Sequence, residues 1–312
     1  MLINIVVPCY NEEEVLPWSV GKLTDLTARI KKETGADARL VFVDDGSKDK
    51  TWQLITEFSS KYENVAGIKL AHNVGHQNAL WAGIEQSLDK CDATVSIDAD
   101  LQDDENTIID MTRQLMEGCD IIYGVRKERK TDTFFKRFTA QSFYRLMQMA
   151  DKEILYNHAD FRMMSNRAGK ALISYTERNL FLRGIVRKLG FKEGYVYYSR
   201  TARTAGESKY PLKKMLQFSI DGITSFSVAP LKMITLTGFL FIFISFLMII
   251  YGLCQWINGD TIPGWASLLV SLWFIGGTAI TGIGIIGLYV GKIYTEVKRR
   301  PRYFVDTTAN MP

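Results

Sequence analysis

Between residues 2 and 123, short apolar runs alternate with segments whose apolar residues recur every three or four positions. Residues 2–7, 40–43, 65–70, 93–97 and 120–123 are short and apolar, so they read as buried strands. Residues 13–32, 51–58, 77–88 and 107–116 carry the helical period; in the first, Leu16, Val20, Leu23 and Leu26 or Thr27 share a face. This alternation predicts an α/β fold: a mainly parallel sheet with helices on both faces.

Polar residues gather where the strands should end. Pro8-Cys9-Tyr10-Asn11-Glu12 follows the first strand and Asp44-Asp45-Gly46-Ser47 the second. Asn73-Val74-Gly75 follows the third, and Asp98-Ala99-Asp100-Leu101-Gln102 the fourth. Each cluster alone is ordinary turn chemistry. In a parallel sheet, however, all four fall on the carboxyl edge, where open α/β sheets bind ligands. Asp98 and Asp100 can offer oxygens to one hard divalent cation that keeps positions open for phosphate, although a lone Asp-x-Asp also suits an acidic surface loop.

In their order along the chain, these motifs resemble the family-two inverting glycosyltransferases of GT-A fold, a nucleotide-sugar-binding, Rossmann-like architecture. The resemblance is greatest to the polyprenyl-phosphate glycosyltransferases, the group that includes dolichol-phosphate mannose synthase and the bactoprenol glucosyltransferases. It continues through Ala159-Asp160-Phe161-Arg162-Met163, Phe181-Leu182-Arg183-Gly184, the run from Arg200 through Arg203 to Lys209 and Tyr210, and Ser225-Phe226-Ser227 with Pro230-Leu231. It implies that Pro8, Tyr10, Glu12, Val43, Asp45, Ala99 and Lys209 line the nucleotide with Asp98, and that Asp98, Asp100 and Gln102 hold Mg²⁺ or Mn²⁺ on its diphosphate. Arg126, Arg137 and Arg203 would meet the acceptor phosphate. Asp98, Asp100, Asp160, Arg126 and Arg203 would form the catalytic set, with Asp160 either orienting an arginine, touching the sugar or pairing structurally with Arg162. The family often carries prolines soon after the Gln; here Asp103 and Asp104 stand instead, and are expected to cap the next helix.

The second half of the chain is patterned differently. Residues 126–145 interleave Arg and Lys with Phe134, Phe135, Phe138 and Phe143, which suits a basic amphipathic helix on an anionic leaflet. Residues 211–226 repeat the theme. Between Lys232 and Lys292 there is no Lys or Arg, and the only carboxylate is Asp260. Two apolar spans, 233–257 and 265–290, each exceed the roughly 20 residues that cross a bilayer. Basic residues flank the pair on both sides, which places both flanks in the cytoplasm. Gly282-x-Gly284-x-x-Gly287 matches a dinucleotide fingerprint but lies inside an apolar span, without its strand. Gly287-x-x-x-Gly291 suits close helix packing, and hence self-association through the spans. The expected organisation is a catalytic domain over 1–210, a juxtamembrane helix over 211–230, a two-helix transmembrane hairpin over 231–292 and a basic cytoplasmic tail over 293–312.

Composition adds few constraints. Net charge is +4, too mild to imply nucleic acid. Four scattered cysteines fit a reducing compartment, and His72, His76 and His158 lack the further ligands of a zinc site. Residues 2–7 are too short and unflanked for a signal peptide, so the start of the chain is expected in the cytoplasm. The expected function is hexosyl transfer from a nucleotide sugar, UDP-glucose or UDP-N-acetylglucosamine, to undecaprenyl or another polyprenyl phosphate at a bacterial cell membrane. A processive polysaccharide synthase would add a Gln-x-x-Arg-Trp motif and more spans. A non-catalytic membrane scaffold would have no need of Asp98, Asp100 and Gln102.

Overall fold

The computed structural model describes residues 1–127, 158–178, 182–199, 229–257 and 264–311. In order, the elements are β1 (Leu2–Cys9), α1 (Leu16–Thr34), β2 (Asp37–Asp44), α2 (Thr51–Lys61), β3 (Val65–Leu70), α3 (His76–Ser87), β4 (Ala93–Ser96), α4 (Thr107–Met116) and β5 (Ile121–Arg126). They continue as β6 (His158–Ser165), α5 (Asn166–Ile173), α6 (Leu182–Ile185), β7 (Glu193–Tyr198), α7 (Ala229–Ile257), α8 (Trp265–Lys298) and β8 (Val305–Ala309). The chain divides into two units: the sheet domain, which includes residues 300–311, and the pair α7 and α8.

The sheet order is β7-β5-β6-β4-β1-β2-β3-β8. Strands β4, β1, β2 and β3 are mutually parallel, as the alternation predicts. Their apolar residues are buried because helices cover both faces; Ile3, Ile5 and Val7 join Leu16, Val20 and Leu23 of α1 in one core cluster. The chain winds from β1 through β2 to β3, then crosses to the other side of β1 to lay down β4. That reversal makes a topological switch point between β1 and β4, and sheets of this kind bind ligands beyond the carboxyl ends of the strands at such a point.

Three strands, β6, β7 and β8, escape the sequence pattern; β7 pairs parallel with β5. β6 runs antiparallel between β4 and β5. It carries Asp160 and Arg162, charges that disguise a buried strand, although Arg162 is fully enclosed. β8 pairs antiparallel with β3, so residues 305–309 of the expected basic tail form an edge strand.

Residues 271–298 of α8 are long and apolar enough to cross a membrane; in α7 the apolar stretch, 233–248, is shorter. Leu236, Phe239 and Phe243 of α7 and Leu272, Trp273 and Ile283 of α8 are exposed. The glycine fingerprint at 282–287 lies mid-helix in α8, where no strand precedes it and Gly282 approaches Ile234 of α7.

Candidate active site

Four loops meet at the carboxyl edge, tied by side chain-to-backbone bonds that satisfy donors a turn would otherwise strand. After β1, Asn11 takes a left-handed conformation, which asparagine tolerates. Its N–H donates to Ser47 Oγ, and its Oδ1 accepts from Lys48 N–H at 2.8 Å. Glu12 N–H donates to Thr51 Oγ1 at 2.9 Å. Tyr10 stands exposed at the rim.

After β2, Asp44 is wholly buried and its Oδ1 accepts from Ser47 N–H. Burial raises its pKa. Asp45 accepts from Val74 N–H at 2.7 Å and Gly75 N–H at 3.0 Å, clamping the loop that leads into α3. Burial raises its pKa as well, with those two bonds opposing. Both Asp45 oxygens thus serve the scaffold around the expected nucleotide pocket. Gly46 turns between the two loops at a φ of 64°; a Cβ there would lie 2.6 Å from the backbone of His72 and Asn73.

After β4, Ile97 N–H donates to Val6 O and the chain turns sharply, with Leu101 at a φ of 43° and its N–H on Asp98 O. A left-handed leucine is strained and persists only where its surroundings demand it. Asp98 keeps 48% of its side-chain surface open, 3.6 Å from His76 Nε2 at the first turn of α3. Desolvation raises its pKa; His76 opposes that rise, and Asp103, Asp160 and Asp100 add to it. Asp100 Oδ1 accepts from Gln102 N–H at 3.4 Å, and Gln102 is buried. Among the described residues, no three His, Cys, Asp or Glu side chains converge on one metal position. The available donors are mainly carboxylate oxygens, so a hard cation would fit here by taking further ligands from water and phosphate.

The antiparallel strand adds a second charged cluster. Asp160 Oδ1 lies 2.7 Å from Arg162 Nη2, and its Oδ2 lies 3.0 Å from Arg183 Nη2. Burial would raise the Asp160 pKa, but the two guanidinium groups overcome it and hold the carboxyl well below the usual range. Arg162 Nη1 donates to Leu182 O at 3.1 Å, and Leu182 N–H donates to Gln77 Oε1 at 3.2 Å. Ser96 Oγ donates to Asp160 O. Asp160 is therefore held among strand and loop partners rather than presented alone.

Arg126, at the end of β5, donates to Asp103 Oδ1 at 3.0 Å and Oδ2 at 3.3 Å, and to Tyr198 Oη at 3.3 Å. This corrects one expectation: Asp103 does not cap α4 but is buried against Arg126. Asp104 does support that helix start, accepting from Asn106 N–H at 3.0 Å. Burial would lower the Arg126 pKa; Asp103 outweighs it and raises the pKa.

Pro8, Val43, Asp45, Asp98, Ala99, Asp100 and Gln102 all lie in strands or turns at this edge, with Tyr10 and Glu12 in the first loop. Arg137, Arg203 and Lys209 lie outside the described residues, as do the basic aromatic segment from 128 and the juxtamembrane segment up to 228. The sequence reading did not single out His76 as a site residue or place Arg183 on Asp160. The available signals were the position of His76 directly after Asn73-x-Gly75 and the Phe-Leu-Arg-Gly motif.

The description "Glycosyl transferase family 2" matches residues 4–173, more than half the chain. The chain belongs to glycosyltransferase family 2. It is 52% identical over 98% of its length, and 91% of the other chain's, to the Bacillus subtilis protein YkoT, described as an uncharacterized glycosyltransferase. It is 37% identical to the bactoprenol glucosyl transferase of Shigella phage SfX, covering 98% of this chain and 99% of the relative. A prophage homologue in Escherichia coli K12 is 36% identical, with 98% of each chain covered. Staphylococcus aureus TarS 1–349 in complex with UDP is a distant structural likeness, with a TM-score of 0.48 and 16% identity over 72% of this chain and 80% of that one. As a family 2 glycosyltransferase, the protein has a GT-A-like, mostly parallel sheet and is an enzyme.

Proposed function

We propose that this glycosyltransferase moves a hexose from a nucleotide sugar, UDP-glucose or UDP-N-acetylglucosamine, to undecaprenyl phosphate at the cytoplasmic face of a bacterial membrane. The observation that carries the reading is whole-chain similarity to bactoprenol glucosyl transferases, extending through both apolar helices. In this reading α7 and α8 form a transmembrane hairpin, and the sheet domain works in the cytoplasm. Self-association through the glycines of α8 belongs to the same proposal.

The donor's base and ribose would lie between the β1 and β2 loops, near Tyr10, Glu12 and Asp45. Its diphosphate would lie at the β4 turn. Asp98, Asp100 and Gln102 would hold Mg²⁺ or Mn²⁺, which when bound supplies Lewis-acid neutralisation of the leaving diphosphate. The attacking atom is an acceptor phosphate oxygen, already anionic at neutral pH, so no strong general base is required. It forms the bond to the anomeric carbon as the bond to the diphosphate oxygen breaks on the opposite face, inverting the centre. Two phosphates must approach against repulsion, and arginine suits that task. Arg126 would share itself between Asp103 and the acceptor phosphate, with Arg137 and Arg203 assisting. Asp160 would act through the arginines around it.

The test is incubation of the purified full-length protein with a panel of nucleotide sugars and undecaprenyl phosphate. Lipid-linked hexose should form with Mg²⁺ or Mn²⁺, vanish with excess chelator, and fall on the order of a hundredfold or more in Asp98→Ala and Asp100→Ala. Full turnover in chelator would remove the metal from the mechanism; no product with any donor would overturn the acceptor.

A further inference from the structure

Residues 302–309 are bound into the sheet domain at α3, just after α5 and along β3. Arg302 stacks its guanidinium 3.7 Å from the centre of the Trp81 ring in α3. Its Nη2 donates to the carbonyls of Tyr175, at 2.8 Å, and Glu177. Tyr303 Oη donates to Glu85 Oε2 at 2.8 Å and accepts from Gln86 Nε2 at 3.2 Å, while Trp81 Nε1 donates to the same Glu85 oxygen. Ala71 N–H donates to Phe304 O, and β8 follows on β3.

Arg302 joins α3 to the residues just after α5. Helix α3 carries His76 against Asp98. Tyr175 and Glu177 follow α5, and Arg183, which pairs with Asp160, stands six positions after Glu177 in the sequence. Nearer the site α6 itself meets α3, where Leu182 N–H donates to Gln77 Oε1. Helix α3 therefore meets this part of the chain at two points, the Tyr175 and Glu177 carbonyls through Arg302 and Leu182 through Gln77. A planar guanidinium suits the first of these: it covers an aromatic face and donates in its own plane to two carbonyls, which an ammonium cannot do in that geometry.

We propose that Arg302 is a positioning residue for glycosyl transfer, holding α3 against the residues just after α5 so that His76 stays on Asp98 and Arg183 on Asp160. The segment after the apolar helices is then a working part of the enzyme rather than a solvated tail. The kinetic arm of the test rests on the substrates proposed above; the exchange arm does not.

The experiment compares the full-length wild type with Arg302→Ala, Arg183→Ala and the double variant, using UDP-glucose and undecaprenyl phosphate. Arg302→Ala should lower kcat on the order of a hundredfold, the scale of a small misplacement at a reacting centre. Because Arg302 works through Arg183 and its neighbours, the double variant should be little slower than Arg183→Ala alone. Losses that multiply would overturn the proposal, since a general structural role predicts independence. Hydrogen exchange of the ligand-free protein supplies the second arm. Arg302→Ala should speed exchange about tenfold or more across residues 74–80 and 182–185 while β1 and β2 keep their protection. Unchanged exchange there, or a uniform rise across the domain, would equally overturn it. If the wild type transfers nothing from this pair, the substrate reading falls and the exchange arm still decides the role of Arg302.

Discussion

Asp160 shows how a charge survives inside this sheet. Its carboxylate is nearly enclosed, and Arg162, itself buried, would be an unpaired cation without it. Removing one member of such a group is costly because the others stay buried. Asp160→Asn should therefore destabilise the domain by about 3–5 kcal/mol. The pH dependence follows from the direction of the shift. The folded pKa is depressed, so the contribution is fully present above the unfolded value, about 3.9, and is lost as pH falls toward the folded one. The gap in unfolding temperature between wild type and Asp160→Asn, measured in detergent, should be constant near neutrality and narrow below about pH 4. A gap that widened in acid would contradict the ion pairing. Arg126 and Asp103 also pair, which explains why Asp103 is not available to α4.

At the scale of elements, α3 connects packing to chemistry. It lies against β1 and β2 through Gly83, where a Cβ would fall 2.3 Å from Val6 Cγ1 and 2.8 Å from Val43 Cγ2. Both valines belong to buried strands with no room to yield. Gly83→Ala should therefore push α3 off the sheet, at a cost of about 1–3 kcal/mol for overpacking. Its first turn would move with it, shifting His76 relative to Asp98. Thermal unfolding should drop, and turnover should fall by more than the loss of folded protein explains. Wild-type kinetics with a lowered unfolding temperature would separate α3 packing from the site. This helix also explains the glycine at position 75, whose φ of 88° begins the helix after the Asp45-clamped turn.

For the whole molecule, the pairing of β8 with β3 constrains topology. Whatever side of a membrane the sheet domain occupies, residues 305–309 occupy it too, and Lys69 pairs with Asp306 across that junction at 3.4 Å. If α7 and α8 both cross, the residues between them, which include Asp260, lie on the opposite side. In a variant lacking Cys9, Cys91, Cys119 and Cys254, a single cysteine at position 260 should label with an impermeant thiol reagent in intact cells. One at position 306 should label only after permeabilisation. Labelling of both without permeabilisation, or the reverse pattern, would refute the hairpin and its orientation.

What could be read from the chain alone was what repeats locally. The alternation of strand and helix periods specified β1 to β5 with their helices, because burial on both sheet faces imposes apolar runs of characteristic length. The polar clusters after those runs marked the carboxyl edge, because turns and ligand sites draw on the same small polar residues. The long uncharged stretches near the end marked two apolar helices for the same local reason. Only the tertiary structure decided which charges neutralise one another. β6 was hidden because Asp160 and Arg162 look solvent-facing until Arg183 and Leu182, some twenty residues away, close around them. The pairing of Arg126 with Asp103 is just as hidden, because Asp103 precedes it by 23 residues. Arg302 lies 221 positions after Trp81, as the difference of their numbers shows, and no periodicity connects them. Hydrophobic patterning reports which side of an element is buried; it does not say which distant polar group will arrive to make that burial affordable.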